Sequence, residues 1–462
     1  MTVISKLMPS MRRQGKAMAN YLQTLIADAS CAHTLPDLSR YATNCSGYVR
    51  EAAVRRCGQL GQPDLLPIVN ERLNDWVPEV REAARQALSE LLLTSPKAQL
   101  LANLPGMLRL RGGSGRGDSA QWLATFEARL IALLGTDVIA EQARHGDIVS
   151  ARACIGLLMR YRLVDTHALI ALILGRGDDI VLCLEAVQLI GDLPAGQQPA
   201  CQALALRSHF GTVRTRALRG LLAQDDATPE ARKTAAMRAL GDTQSSARYV
   251  AREYLGALGV DVRAYYRTLL GQAVTARTAQ ICLAELAALR ALGDTELVRS
   301  CAADTRAIVR LAALTAWFKL AAADKDHIAA VALADSAPRV RKFGAMLVQR
   351  DGAYLPFEQV ARMLEAVGDL RLLLRMAESH PWQWLEWIAR LSLRLDREQA
   401  LALRLDASLG KWLTQSQIWY DNLGSEQAAR LRAEPARSSL RALVSGPSAA
   451  LAEVERELDA RA

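Results

Sequence analysis

Aromatic side chains are scarce in this chain. Phe, Trp and Tyr make up 5 % of the 462 residues, yet 51 % of the chain is hydrophobic. The apolar content is therefore mostly aliphatic, which suits Ala- and Leu-rich helices better than a β-sandwich. So much apolar material also excludes a disordered chain. Lysine is scarcer still. Of 57 basic residues only eight are Lys and 49 are Arg. This reads as the codon usage of a GC-rich bacterial genome, the alternative being selection for forked guanidinium contacts. Against 48 acidic residues the net charge is +9, which is modest for this length. A strongly basic nucleic-acid domain shows more clustering.

Other absences narrow the function. The eight Cys stand far apart with no CxxC, and most sit in apolar runs such as Val181-Leu182-Cys183-Leu184. They read as small buried thiols in a reducing compartment, neither a disulfide frame nor a zinc site. No run of 18 apolar residues occurs, and Met1–Ser10 holds no apolar block followed by a cleavage site. The expectation is a cytoplasmic protein without a membrane partner. The six His form neither HxxxH nor HExxH, and no nucleophile elbow or GK[ST] loop is present. Asp178-Asp179 and Asp225-Asp226 fit helix-capping turns better than a carboxylate pair, because adjacent helical side chains point apart. No catalytic set, metal site or cofactor is expected.

What is present is an internal period of about 32 residues. Val49-Arg50-Glu51-Ala52-Ala53 recurs as Val80-Arg81-Glu82-Ala83-Ala84. Units open at Val49, Val80, Val149, Leu182, Val213, Ala247, Ala279, Val309 and Val340, with one 69-residue gap hiding an irregular unit. A degraded unit follows near Leu372. Four residues after the opening stands a small residue in nearly every unit, as at Ala53, Ala84 and Gly344. Offsets 0, 4 and 8 share one helical face, so each opening starts an amphipathic helix that a neighbour approaches closely. A unit of this length holds two helices and two short turns.

A polar column accompanies the apolar one. Asp75, Asp242, Asp304 and Asp335 stand five residues before their openings, where Asp serves as an N-cap. Arg50, Arg81, Arg214, Arg248, Arg310 and Arg341 stand one after. Arg in a first turn opposes the helix dipole and needs another partner. The Asp of a neighbouring unit is the obvious one, giving a structural ladder; a phosphate-binding Arg row is the alternative.

Asp75-Trp76-Val77-Pro78-Glu79-Val80-Arg81-Glu82-Ala83-Ala84-Arg85-Gln86-Ala87-Leu88, with a second match at Asp335–Ala345, resembles the HEAT repeat family. The resemblance covers roughly 45–375. It implies an all-α, right-handed α-α superhelix of about ten helical-hairpin repeats whose second helices line a concave side. It also implies a protein-binding scaffold, since most such arrays serve that role, although a few HEAT-like proteins are DNA glycosylases or lyases. Residues 1–44 are read as an N-terminal helical cap, 45–375 as the array, and 376–462 as a C-terminal helical cap. Within the array, 109–119 is Gly-rich and reads as a loop. Trp382, Trp384, Trp387, Trp412 and Trp419 cluster in the last part, as an aromatic plug or an exposed hot spot.

Solvent-facing positions of the second helices carry mixed charge with Leu184, Ile281 and Leu311 among them. A phosphate track wants a continuous positive stripe, so a protein partner on the concave face is the leading expectation. Arg55, Arg85, Arg152, Arg216, Arg219, Tyr249 and Arg252 are its candidate contacts. A regulator, an assembly factor or a toxin-neutralising protein would fit. Nucleic-acid binding, with glycosylase-like repair activity, is the alternative, and no matching catalytic residues can be placed for it.

Overall fold

The computed structural model describes residues 20–108, 119–224, 227–273, 275–414, 423–444 and 448–460. Helices and short 3-10 turns are the only regular structure among them. The first 19 residues, 109–118, Asp225-Asp226 and Trp419 lie outside the described residues. The chain divides into two compact units, Met1–Leu258 and Gly259–Ala462. The boundaries expected near 44 and 375 fall inside these units.

Each unit is built from helical hairpins. In the first, Leu66–Arg72 pairs with Pro78–Thr94, Thr166–Arg176 with Ile180–Ile190, and Gln198–Ala205 with Gly211–Ala223. The second helices of successive hairpins also pack together, as Gly47–Leu60 does on Pro78–Thr94. The 69-residue gap contains three further helices, Lys97–Met107, Ser119–Leu134 and Thr136–His145. Sequence punctuation explains the ends. Gly61 takes a left-handed conformation (φ 60°) and closes Gly47–Leu60, while Pro78 starts the next second helix at a position needing no N–H.

The apolar columns form the interior. Val49, Ala53 and Cys57 are buried, as are Ala84 and Leu88, in a core running from Ala29 to Ala217, and Val80 is buried too. The small column has a steric cause in the second unit. A Cβ on Gly344 would lie 3.0 Å from the Ala329 carbonyl oxygen and 2.9 Å from the Ala332 Cβ. One unit departs from the pattern: Val149 is 60 % exposed. Asp147 caps that helix through the N–H groups of Val149 and Ser150, and the helix buries Ser150, Cys154 and Leu158 instead. Its register has slipped by one residue. Ile281, expected to be exposed, is buried, because Ala276–Ala288 packs on most of its sides; Leu184 and Leu311 are half-buried.

In the second unit the core runs on from Leu333 to Leu458 and takes in the tryptophans. Trp382, Trp384, Trp387 and Trp412 are buried. Trp382 and Trp412 meet edge to face at 5.7 Å. The indole N–H of Trp384 donates to Ser408 Oγ at 2.9 Å, and that of Trp412 to the Pro381 carbonyl at 2.6 Å. These four rings therefore act as core and offer no exposed hot spot.

Candidate functional site

Two populations of arginine stand on the second helices. The first population is engaged within the protein. Arg50 donates through Nε and Nη2 to Asp75 at 2.9 and 2.8 Å. Its Nη1 donates to the carbonyls of Asn44 and Cys45, six and five residues back. Arg214 repeats this arrangement with Asp242 and the Ser208 and His209 carbonyls. Arg310 does so with Asp335 and the carbonyls of Asp304 and Thr305. Arg341 reaches Asp369 at 2.8 Å and the carbonyls of Asp335 and Ser336. A first-turn arginine thus ties its own entry turn to a carboxylate one hairpin further on, and its fork geometry serves both. Arg81 and Arg248 make the same pair of carbonyl contacts, to Asp75 and Trp76 and to Asp242 and Thr243. Residues 109–118, which come after Lys97–Met107, lie outside the described residues.

The aspartates differ from N-caps. Asp75, Asp242, Asp304 and Asp335 accept from the backbone N–H two residues on, at 3.0, 2.7, 2.8 and 2.7 Å. They close Asx turns, and the actual N-caps, Val77, Gln244, Arg306 and Ala337, have no side-chain cap. Asp179 and Asp369 do cap helices, Ile180–Ile190 and Leu370–Ala377, while also receiving Arg152 and Arg341. Asp304 pairs with Arg306 in its own turn, since the preceding unit has Gln280 where an arginine would stand.

The carboxylates respond to this company. Burial alone would push Asp75 up, but Arg50 and the Val77 N–H outweigh it and hold its carboxyl below the usual range. Asp242 and Asp335 are held low in the same way by Arg214 and Arg310. The Arg152 hydrogen bond lowers Asp179, and Arg306 brings Asp304 down to about 2. Burial pushes the Cys57 and Cys154 thiols up to about 12 and that of Cys282 to about 11, which leaves them unreactive.

The second population was expected to line a binding row, and the structure sorts it. Arg152 is drawn into the ladder through Asp179. Arg55 forms a 2.7 Å ion pair with Glu51 on its own helix. Arg85 is half-buried over the Trp122 ring. Arg252 lies over the exposed ring of Tyr249 at 5.2 Å. Arg216 and Arg219 come together. They border a cleft of about 820 Å³ in the first unit, whose opposite wall carries Leu184, Val187 and Gln188 of Ile180–Ile190. Both are exposed, and neither hydrogen-bonds nor ion-pairs with a described residue. Behind them the buried Gln202 amide donates to the Ala217 carbonyl, and Thr215 Oγ1 lies 3.0 Å from Ser246 Oγ, which fixes the base of the cleft.

Sequence reasoning missed three ladder pairs, Arg341–Asp369, Arg152–Asp179 and Arg263–Asp294. Asp369 and Asp179 stand as N-caps outside the aligned Asp column. Arg263 lies on a first helix, Val262–Gly271, and pairs at 2.8 Å with the fully buried Asp294. Spacing was a usable signal: these pairs are separated by 27 to 31 residues, one repeat. Among the described residues no cluster of His, Cys, Asp and Glu could hold a metal, and no helix is long and apolar enough to cross a membrane.

Residues 16–89 match the family model of HEAT repeats. No curated protein matches the chain. Among solved structures it is similar to the crystal structure of Kap121p, at 12 % identity and a TM-score of 0.24, over 90 % of this chain and 47 % of that one. The chain thus spans about half the length of that protein.

Proposed function

We propose that this chain is a non-enzymatic scaffold that binds a protein partner on the face carried by its second helices, as a regulator, an assembly factor or a toxin-neutralising protein would. The observation that carries this reading is the cleft between Ile180–Ile190 and Gly211–Ala223. It offers half-buried aliphatic wall residues beside two arginines with no partner among the described residues. Interfaces combine an apolar centre with Arg in this way. A nucleic-acid track is less well supported. Arg50, Arg214, Arg310 and Arg341 would have to follow a phosphate backbone, and each is already engaged by an aspartate.

The test is capture of the tagged chain from its native host, with protein and nucleic acid quantified in the same eluate. A stoichiometric protein that survives nuclease treatment is expected. Nucleic acid as the sole stoichiometric companion would overturn the reading.

A further inference from the structure

The helix Ile180–Ile190 has the sequence IVLCLEAVQLI, in which Glu185 is the one charged residue. A helix this apolar is ordinarily buried all round. Here only one side is covered: Leu182, Cys183, Ala186 and Ile190 face the core. Leu184 and Val187 are half-buried on the cleft wall, and Val181 is 51 % exposed one turn before Leu184. The opposite wall, on Gly211–Ala223, presents Arg216 and Arg219, one helical turn apart. These two guanidinium groups are the only charges among the described residues bordering the cleft. One wall is therefore aliphatic and the other is cationic, and nothing described neutralises the cations.

Resting on the scaffold reading above, we propose that the cleft takes an acidic amphipathic helix of the partner protein. Its aliphatic side chains would cover Val181, Leu184 and Val187. Its Asp or Glu residues, three or four apart, would face Arg216 and Arg219. The spacing of the two arginines along their helix matches the i, i+3 and i, i+4 spacing of carboxylates on a helix laid beside it. Carboxylate–guanidinium pairing is favoured where the aliphatic wall excludes water. The cleft, at about 820 Å³, accommodates several side chains of such a helix.

The experiment is selection of a random 16-residue displayed peptide library on the full chain. Enriched sequences are expected to alternate Leu, Ile or Met at helical spacing with acidic pairs. A synthetic copy of the leading peptide should bind the wild type and lose about tenfold or more in affinity for the Arg216→Glu/Arg219→Glu variant. A copy with Lys in place of its acidic residues should recover binding to that variant. Leu184→Asp should weaken the acidic peptide with both arginines intact, and the thermal midpoint of the Arg216→Glu/Arg219→Glu variant, altered only at exposed positions, should stay near wild type. Enrichment of non-acidic peptides, no enrichment, or equal binding to the charge-reversed variant would overturn the proposal. If the partner captured from the host still binds that variant fully, the scaffold reading stands and the cleft assignment falls.

Discussion

Arg50→Ala removes the most buried rung of the ladder. The Arg50 side chain is 4 % exposed and that of Asp75 is 1 % exposed. Breaking a buried pair by deleting one partner costs about 3–5 kcal/mol, because the remaining charge is stranded. Asp75 keeps the Val77 N–H at 3.0 Å and Arg72 Nη1 at 3.2 Å, which offset about 1 kcal/mol of that. The carbonyls of Asn44 and Cys45 lose a donor but lie where water can replace it. The expected loss is thus about 3 kcal/mol. Lys at this position keeps the charge but cannot grip Asp75 and both carbonyls together, so Arg50→Lys should lose about half as much. Solenoid stability is a sum of local terms, so the damage should be local. Urea unfolding gives the magnitude, and amide hydrogen exchange gives the place: protection should fall in the helices between Leu35 and Thr94 and hold beyond Thr166. A loss below about 1 kcal/mol, or one spread evenly over the first unit, would refute the claim that this contact holds neighbouring hairpins in register.

Two further predictions follow from packing and charge. Gly344→Ala should destabilise by about 1–3 kcal/mol despite Ala's better helix propensity, because the Ala329 carbonyl blocks the new methyl; Gly256→Ala, with nothing within 4 Å, should be neutral or stabilising by up to about 1 kcal/mol. Thermal melts of the two variants decide it, and equal effects would contradict the close-approach argument. Asp75, Asp242 and Asp335 titrate below their ordinary value of 3.8 in the folded chain, so they contribute stability at neutral pH that is lost as pH falls through 3.8 and below. The thermal midpoint should drop below about pH 4, and less steeply in an Asp242→Asn/Asp335→Asn variant; parallel curves would remove the ladder from acid unfolding.

Architecture was legible because the repeat writes itself in residues that bear on geometry. The buried columns at Val49, Ala53 and Cys57 follow from a 3.6-residue period, and Gly344 from close packing. What escaped was local rotation. The slip at Ser150 depends on which residue Asp147 caps, and a chain of apolar residues such as Ile148-Val149 hides a one-residue shift. Arg152, which the columns suggested for a binding row, faces Asp179 instead. The aspartates were visible as a column, but the Asx-turn position lies two residues before the N-cap at the helix start. The cleft was half legible. Arg216 and Arg219 stood out as solvent-facing, yet only the fold reveals that Leu184 and Val187 form the wall opposite.

The central claim is that ladder arginines hold the structure while Arg216 and Arg219 bind a partner, and one paired measurement tests it. Arg310→Ala and Arg219→Ala are compared for thermal stability and for affinity toward the protein captured from the host. Arg310, with its side chain 14 % exposed and paired to Asp335 at 2.7 Å, should lose about 1–3 kcal/mol of stability with affinity nearly intact. Arg219→Ala should keep its stability and bind less tightly. Exchanged phenotypes, a stable Arg310→Ala that fails to bind and an unstable Arg219→Ala that binds fully, would contradict the account.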